Sequence, residues 1–140
     1  MGKLYRKYGG EDLDIAALYA ESLMVLKAWE LWVKDENSGE IVPADGNTLV
    51  VKQVLSKALA APGGMEHPAI LHQYCHLMEL SSEPEAAMPA ADALRTLLPA
   101  AGHLIHMASH IDVWAGQYQA ALESNISAIK ADTAMVAYTG

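Results

Sequence analysis

Several features are scarce or missing in this chain of 140 residues, and each absence excludes a class of protein. The single cysteine, Cys75, cannot form an intrachain disulfide, so a reducing compartment is expected. No apolar run approaches the ~18 residues of a transmembrane helix. The first ten residues also lack the apolar core of a secretory signal. The expected localisation is therefore cytoplasmic, away from the membrane.

Basic residues are also few, with 9 Lys and Arg against 17 Asp and Glu, and the formal net charge is −8. A nucleic-acid-binding surface needs clustered positive charge to neutralise phosphates, so DNA and RNA are not expected as partners. An anionic membrane surface is disfavoured for the same reason. Phenylalanine is absent, yet the hydrophobic fraction of 52% is ample for a buried core.

What the sequence does contain is a helical pattern, because its apolar residues recur at intervals of three and four. We predict one all-α domain over residues 1–140, without a strand. Residues 1–10 are predicted to be a helix tail followed by a turn, and 133–140 to fray or to begin a further helix. Segment 34–47 is predicted to be a loop, longer than the ~2–8 residues usual between helices. Six helices are predicted in three antiparallel pairs: about 14–60, 67–98 and 103–131.

All six histidines lie between residues 67 and 110, and four of them recur at a fixed spacing. The interval from His72 to His106 equals the interval from His76 to His110. It agrees with the period of the tetratricopeptide (TPR) repeat, about 34 residues, a helix–turn–helix unit that stacks on its own copies. The spacing therefore predicts that a His-x-x-x-His pair occurs once in each of two repeat units.

The last predicted pair resembles the TPR consensus, with small residues where its two helices would touch. The preceding pair is less similar, and the first pair departs most because it contains the 34–47 segment. The positions that support the resemblance are Gly116, Tyr118, Ala121 and Ala128 in the last pair, and Ser82, Pro84, Ala87 and Pro99 in the preceding one. The resemblance implies a TPR-like α-α superhelix.

Nearly the whole chain is similar to the middle part of a family of long, largely uncharacterised bacterial TPR proteins. The motifs that support this are Leu18-Tyr19-Ala20-Glu21-Ser22-Leu23-Met24, His67-Pro68 with His72 and His76, Pro84-Glu85-x-Ala87, and Gly102-His103-Leu104 with His106-Met107 and His110-Ile111. Because members of that family are much longer, the chain is expected to be a fragment or a shortened homologue. The resemblance implies a fold but no activity.

The histidines form a candidate metal site, because residues three or four apart share one face of a helix. By resemblance to TPR arrays, the first helices of neighbouring pairs lie side by side along a concave surface. Imidazole nitrogen is a common ligand of Zn, Cu, Ni and Fe, so a transition metal is the expected cofactor if one is bound. The candidate ligands are His72, His76, His103, His106 and His110, while His67 beside Pro68 is predicted to be an N-terminal helix residue.

Two other interpretations of the histidines remain open. They could form a polar groove that binds a peptide or an acidic ligand, or they could be structural residues that fix the packing of the helices. Glu21, Glu79 and Trp114 are predicted to line such a groove. The function predicted is a TPR-like binding or scaffold module, and the alternative is a metal-dependent enzyme that uses the same histidines. A short array exposes apolar surface at its ends, so a homo-oligomer or docking to further repeats is expected.

Overall fold

The computed structural model describes residues 1–140 and is mainly helical, which confirms the predicted predominance of helix. None of its helices is both long and apolar enough to cross a membrane. The seven α-helices are α1 (Gly2–Tyr8), α2 (Leu13–Met24), α3 (Gly46–Ala60), α4 (Pro68–Met78), α5 (Met88–Leu97), α6 (Gly102–Trp114) and α7 (Tyr118–Thr139). Two short strands, β1 (Trp32–Lys34) and β2 (Ile41–Pro43), lie between α2 and α3.

Helices that follow one another along the chain pack together. The helices α2, α4 and α6 also contact one another in turn. α2 packs on α3, α4 on α5, and α6 on α7, while α4 also contacts both α2 and α6. Buried alanines such as Ala17, Ala20 and Ala91 allow close approach of the helices in the core. Cys75 is part of this core, and burial raises the pKa of its thiol to about 12. The position of α4 between α2 and α6 brings the two histidine runs together.

Side chains placed just before the helices fix where they begin. Asp12 Oδ1 accepts a hydrogen bond from the Ile15 amide at 3.0 Å, and Asp45 caps α3 in the same way. His67 caps α4, because its Nδ1 faces the Ile70 amide at 3.4 Å, and Pro68 follows as the first helical residue. The predicted role of His67 at a helix N-terminus is therefore confirmed. Its ring does not belong to the group formed by the other five histidines.

The prediction that the chain contains no strand is wrong. β1 and β2 pair in antiparallel register, with Val33 opposite Val42. Their connection is a tight turn in which Asp35 Oδ1 accepts from the Ser38 amide at 2.7 Å and Gly39 takes a positive φ of 73°. The polar Asn-Ser-Gly cluster is compatible with the long loop predicted from the sequence, but turn residues between β-branched residues also fit a hairpin.

The predicted limits of the first and last long helices also differ from the structure. The apolar residues that recur at intervals of three and four predict a first helix from about Asp14 to Trp32. In the structure α2 ends at Met24, a 3-10 turn follows, and Trp29 has a positive φ of 65°. Leu31 is instead buried, and its carbonyl accepts a hydrogen bond from Thr48 Oγ1 at 2.8 Å. At the other end, α7 continues to Thr139, whereas the sixth helix is predicted to end at about 131 and residues 133–140 to fray or to begin a further helix.

A charged pair inside the protein joins α5, α6 and α7. Asp112 is fully buried, and its Oδ1 accepts a hydrogen bond from Arg95 at 2.5 Å. Arg95 also donates to Ser124 on α7 and to Asp92 one turn earlier on its own helix. Asp112 Oδ2 has no partner and no access to solvent. The arginine therefore supplies the principal compensation for a carboxylate removed from water.

Candidate metal centre

Five histidines from two helices meet in one continuous row. His72 and His76 come from α4, and their rings contact those of the α6 histidines across the interface. The centroids of His72 and His103 are 5.1 Å apart, and those of His76 and His110 are 5.7 Å apart. Four of the rings are partly buried, whereas His103 is exposed and its ring centroid lies 6.3 Å from that of His106. The structure thus places all five predicted ligands in the same region.

Glu79 joins the two helices by bonding to one histidine from each. Its Oε1 accepts from His76 Nδ1 at 2.9 Å, and its Oε2 accepts from His110 Nδ1. Burial alone would raise the pKa of this carboxyl, but hydrogen bonds from His110 and His76 outweigh burial and lower it to about 2. An ionised carboxylate can only accept, so both Nδ1 atoms are donors. The Nε2 atom of each neutral ring then carries the lone pair.

His106 is oriented by an amide rather than by a carboxylate. Asn125 Nδ2 donates to the carbonyl of Ala121 at 2.8 Å, which turns its Oδ1 toward His106 Nδ1, also at 2.8 Å. His106 Nδ1 is therefore a donor, and its Nε2 carries the lone pair when the ring is neutral. That atom lies 3.0 Å from His110 Nε2. Two lone pairs facing at this distance repel each other unless they share a proton or a metal ion.

Two sets of side chains could hold a metal ion, and they share His76. In the first set, His72, His76 and His103 each offer a nitrogen, all within 4.8 Å of one another. The Nε2 atoms of His72 and His103 are 3.1 Å apart. In the second set the ligand atoms come from His76, Glu79 and His110. Metal–nitrogen bonds are ~2.0–2.1 Å, so two ligand atoms of one ion lie at most about 4 Å apart. A small movement of the side chains would bring the ligand atoms of either set within this limit.

The environment keeps part of the histidine row uncharged. Burial, followed by the proximity of His76 and His103, lowers the pKa of His72 to about 4. Burial and the neighbouring His76 also lower the pKa of His103. Neutral imidazole is the form that binds metals, so His72 and His103 are available to a cation at neutral pH.

These shifts predict how the stability of the metal-free protein depends on pH. A histidine whose pKa is lower in the folded state binds its proton more readily when unfolded. The free energy of unfolding should therefore fall as the pH decreases from about 6.5 to about 4, the window set by His72. Urea denaturation of chelator-treated protein across that window would measure the slope. The slope should be smaller in His72→Gln, and an unchanged slope in that variant would contradict the assignment.

The three predicted groove residues occupy different environments. Glu21 accepts from Gln73 Nε2 at 3.0 Å and lines a pocket beside His72 and His76. Glu79 also lines that pocket, and it is a member of the histidine cluster itself. Trp114 is exposed at the end of α6 and does not line this pocket.

Asn125, which orients His106 from α7, was missed by sequence reasoning because it lies outside the repeating histidine pattern. Trp29, which is predicted with Trp32 and Trp114 to belong to the core or to a groove wall, contacts the ring of His76 edge to face, with centroids 5.5 Å apart. Comparison of the chain with models of protein families, with curated proteins and with solved structures found no match.

Proposed function

We propose that this chain is a TPR-like binding module in which α4 and α6 together bind a transition-metal ion. The observation that supports this most directly is the convergence of one nitrogen each from His72, His76 and His103 within 4.8 Å of one another. Hydrogen bonds at the Nδ1 atoms of His76 and of two neighbouring histidines add to this support. Glu79 and Asn125 hold the Nδ1–H groups of His76, His110 and His106, which leaves three Nε2 lone pairs available. In metal sites a ligating histidine commonly donates its other N–H to a carboxylate or carbonyl in this way.

The ligands we assign to the ion are His72, His76 and His103, with Glu79 orienting His76. Three nitrogen ligands suit Zn, Cu, Ni or Fe better than Ca or Mg, which prefer oxygen. His106 and His110 provide a further pair of nitrogens next to this set.

The repeat architecture is part of the same proposal. α2, α4 and α6 contact in succession, and each packs on the helix that follows it, as the first and second helices of stacked TPR units do. His76 and His110, which are one repeat period apart, reach the same carboxylate. We infer that α4 with α5 and α6 with α7 are two repeat units, and that α2 with α3 is a third that has acquired the hairpin.

Metal content tests the proposal directly. The protein would be purified without an affinity tag and without chelator, and its metal measured by mass spectrometry. About one equivalent of Zn, Cu, Ni or Fe per chain would support the proposal. Metal-free protein should then bind added Zn²⁺ in a calorimetric titration. Protein that contains no metal and also fails to bind Zn²⁺, Cu²⁺, Ni²⁺ or Fe²⁺ at micromolar concentration would contradict it.

Replacing Glu79 with glutamine should weaken the metal site without removing a histidine. The neutral amide cannot accept from both Nδ1–H groups as the carboxylate does, so His76 and His110 lose their fixed orientation. Loss of such an orienting partner typically reduces metal affinity by about 10–100-fold. Competition titration with a chromogenic zinc chelator would measure the change. Glu21→Gln is the matched control, because Glu21 bonds to Gln73 rather than to a histidine, and it should retain the original affinity.

A further inference from the structure

A pocket of about 230 Å³ lies beside the histidine row, between the end of α2, the turn that follows it, and α4. Its walls are mainly apolar, and its polar lining consists of Glu21, His72, Gln73, His76 and Glu79. Two of these residues are acidic, and no lysine or arginine lines the pocket. At ~30 Å³ for each water molecule, the volume suits a ligand on the order of ten non-hydrogen atoms.

Trp29 forms one wall of this pocket in an unfavourable backbone conformation. Its φ of 65° makes it the one non-glycine residue of the chain with a positive φ. The left-handed conformation is unfavourable for a residue with a side chain, because its Cβ lies too close to the following carbonyl oxygen. Burial of the indole does little to offset that cost, because Trp29 remains 69% exposed. Strained backbone conformations cluster at ligand-binding sites.

The polar groups of the pocket favour a positively charged ligand. Glu21 uses Oε2 to accept from Gln73 and is otherwise exposed at the rim. Gln73, which also lines the pocket, has a side-chain oxygen that is buried without a hydrogen-bond donor. The Trp32 ring already has the ammonium of Lys52 at 5.7 Å, whereas Trp29 has no cation beside it. An exposed indole and a carboxylate together suit an organic ammonium group.

We propose that this pocket binds a small organic amine with an apolar body. The ammonium group would lie between Glu21 and the face of Trp29, and the apolar part would contact Val25, Leu31 and Leu80. This binding does not require a metal ion at the histidines. It can therefore be tested on chelator-treated protein, where failure of the metal proposal would not affect the result.

The test is a calorimetric titration with three probes of similar size and different charge: phenethylamine, 2-phenylethanol and 3-phenylpropionate. We expect the amine to bind about tenfold more tightly than the alcohol, since a cation over an indole contributes a factor of this order. The acid should bind least. Binding of the alcohol or the acid as tight as that of the amine, or no amine binding at millimolar concentration, would overturn the proposal.

Two variants with matched controls locate the binding. Trp29→Gly and Glu21→Gln should each weaken phenethylamine binding by roughly tenfold. Trp114→Ala and Glu85→Gln, which alter an exposed tryptophan and an exposed glutamate outside the pocket, should leave it unchanged. Amine binding that survives both Trp29→Gly and Glu21→Gln would place the ligand elsewhere and overturn the proposal.

The stability of Trp29→Gly supplies a second readout. Glycine adopts a positive φ without strain, so the variant should melt at a higher temperature than the original protein while binding the amine less well. A higher melting temperature together with weaker amine binding is expected when the role of the residue is to bind the ligand rather than to stabilise the fold. A lower melting temperature would show that Trp29 serves packing, and it would overturn its assignment to the pocket.

Discussion

Replacing both His76 and His110 with alanine is expected to leave the protein without bound metal. His76 belongs to both sets of potential ligands, and His110 belongs to the second set and faces His106 Nε2. The double substitution therefore takes at least one nitrogen from every arrangement that could hold an ion. Mass spectrometry of the tag-free protein should find metal near one equivalent in the original chain and near zero in the variant.

His67→Ala is the matched control for that experiment. His67 lies next to the helix that carries His76 but bonds to Asp14 and caps the helix, outside the row. Its loss should cost about 1 kcal/mol of stability and no metal. The double variant leaves the Glu79 carboxylate buried without its two hydrogen-bond donors, which destabilises the protein independently of any metal. A triple variant that adds Glu79→Gln removes this buried charge and so separates misfolding from loss of the ligands. Metal retained in a folded double variant would contradict the ligand assignment.

Replacing Arg95 with methionine is expected to destabilise the protein by about 3 kcal/mol, at the lower end of the range for breaking a buried ion pair. The substitution leaves Asp112 charged in the core with no cation, and one of its oxygens already lacks a partner. The lower end applies because part of the Arg95 side chain reaches solvent. Urea denaturation, monitored by circular dichroism, would give the change in the free energy of unfolding.

Two further variants show whether that loss comes from the uncompensated carboxylate. Asp92→Ala removes only the exposed partner of Arg95 and should cost less than about 1 kcal/mol. Arg95→Met combined with Asp112→Leu removes both charges and should recover most of the stability, as replacement of a whole buried pair commonly does. A loss below about 1 kcal/mol for Arg95→Met alone would contradict this interpretation.

Much of the helical layout could be predicted from the sequence, because local signals mark it. Periodic apolar residues identified the helices, and Pro68 after His67 marked the start of α4 correctly. The end of α2 could not be predicted in this way. It depends on Leu31 entering the core and on the hydrogen bond from Thr48, 17 residues away. The apolar pattern through Trp29 and Trp32 favoured a continuing helix, whereas tertiary contacts determined a turn and a strand.

The candidate site could be predicted only in part, for a similar reason. Spacing identified the five histidines, because the helical interval and the repeat period both depend on regular structure. The sequence did not indicate that Glu79 would bond to histidines from two helices, or that Asn125 would orient His106. The pairing of Arg95 with Asp112 was also missed, since their contact arises only when α5 and α6 pack together.

The single carboxylate shared by His76 and His110 has a consequence for stoichiometry. The histidine pair occurs twice, but the position one repeat period after Glu79 is occupied by Val113, which cannot accept a hydrogen bond through its side chain. The two copies are thus chemically unequal, although their spacing is the same. Under the proposed metal-binding function, the carboxylate that orients His76 occurs only once, so we expect one ion for the two proposed repeat units.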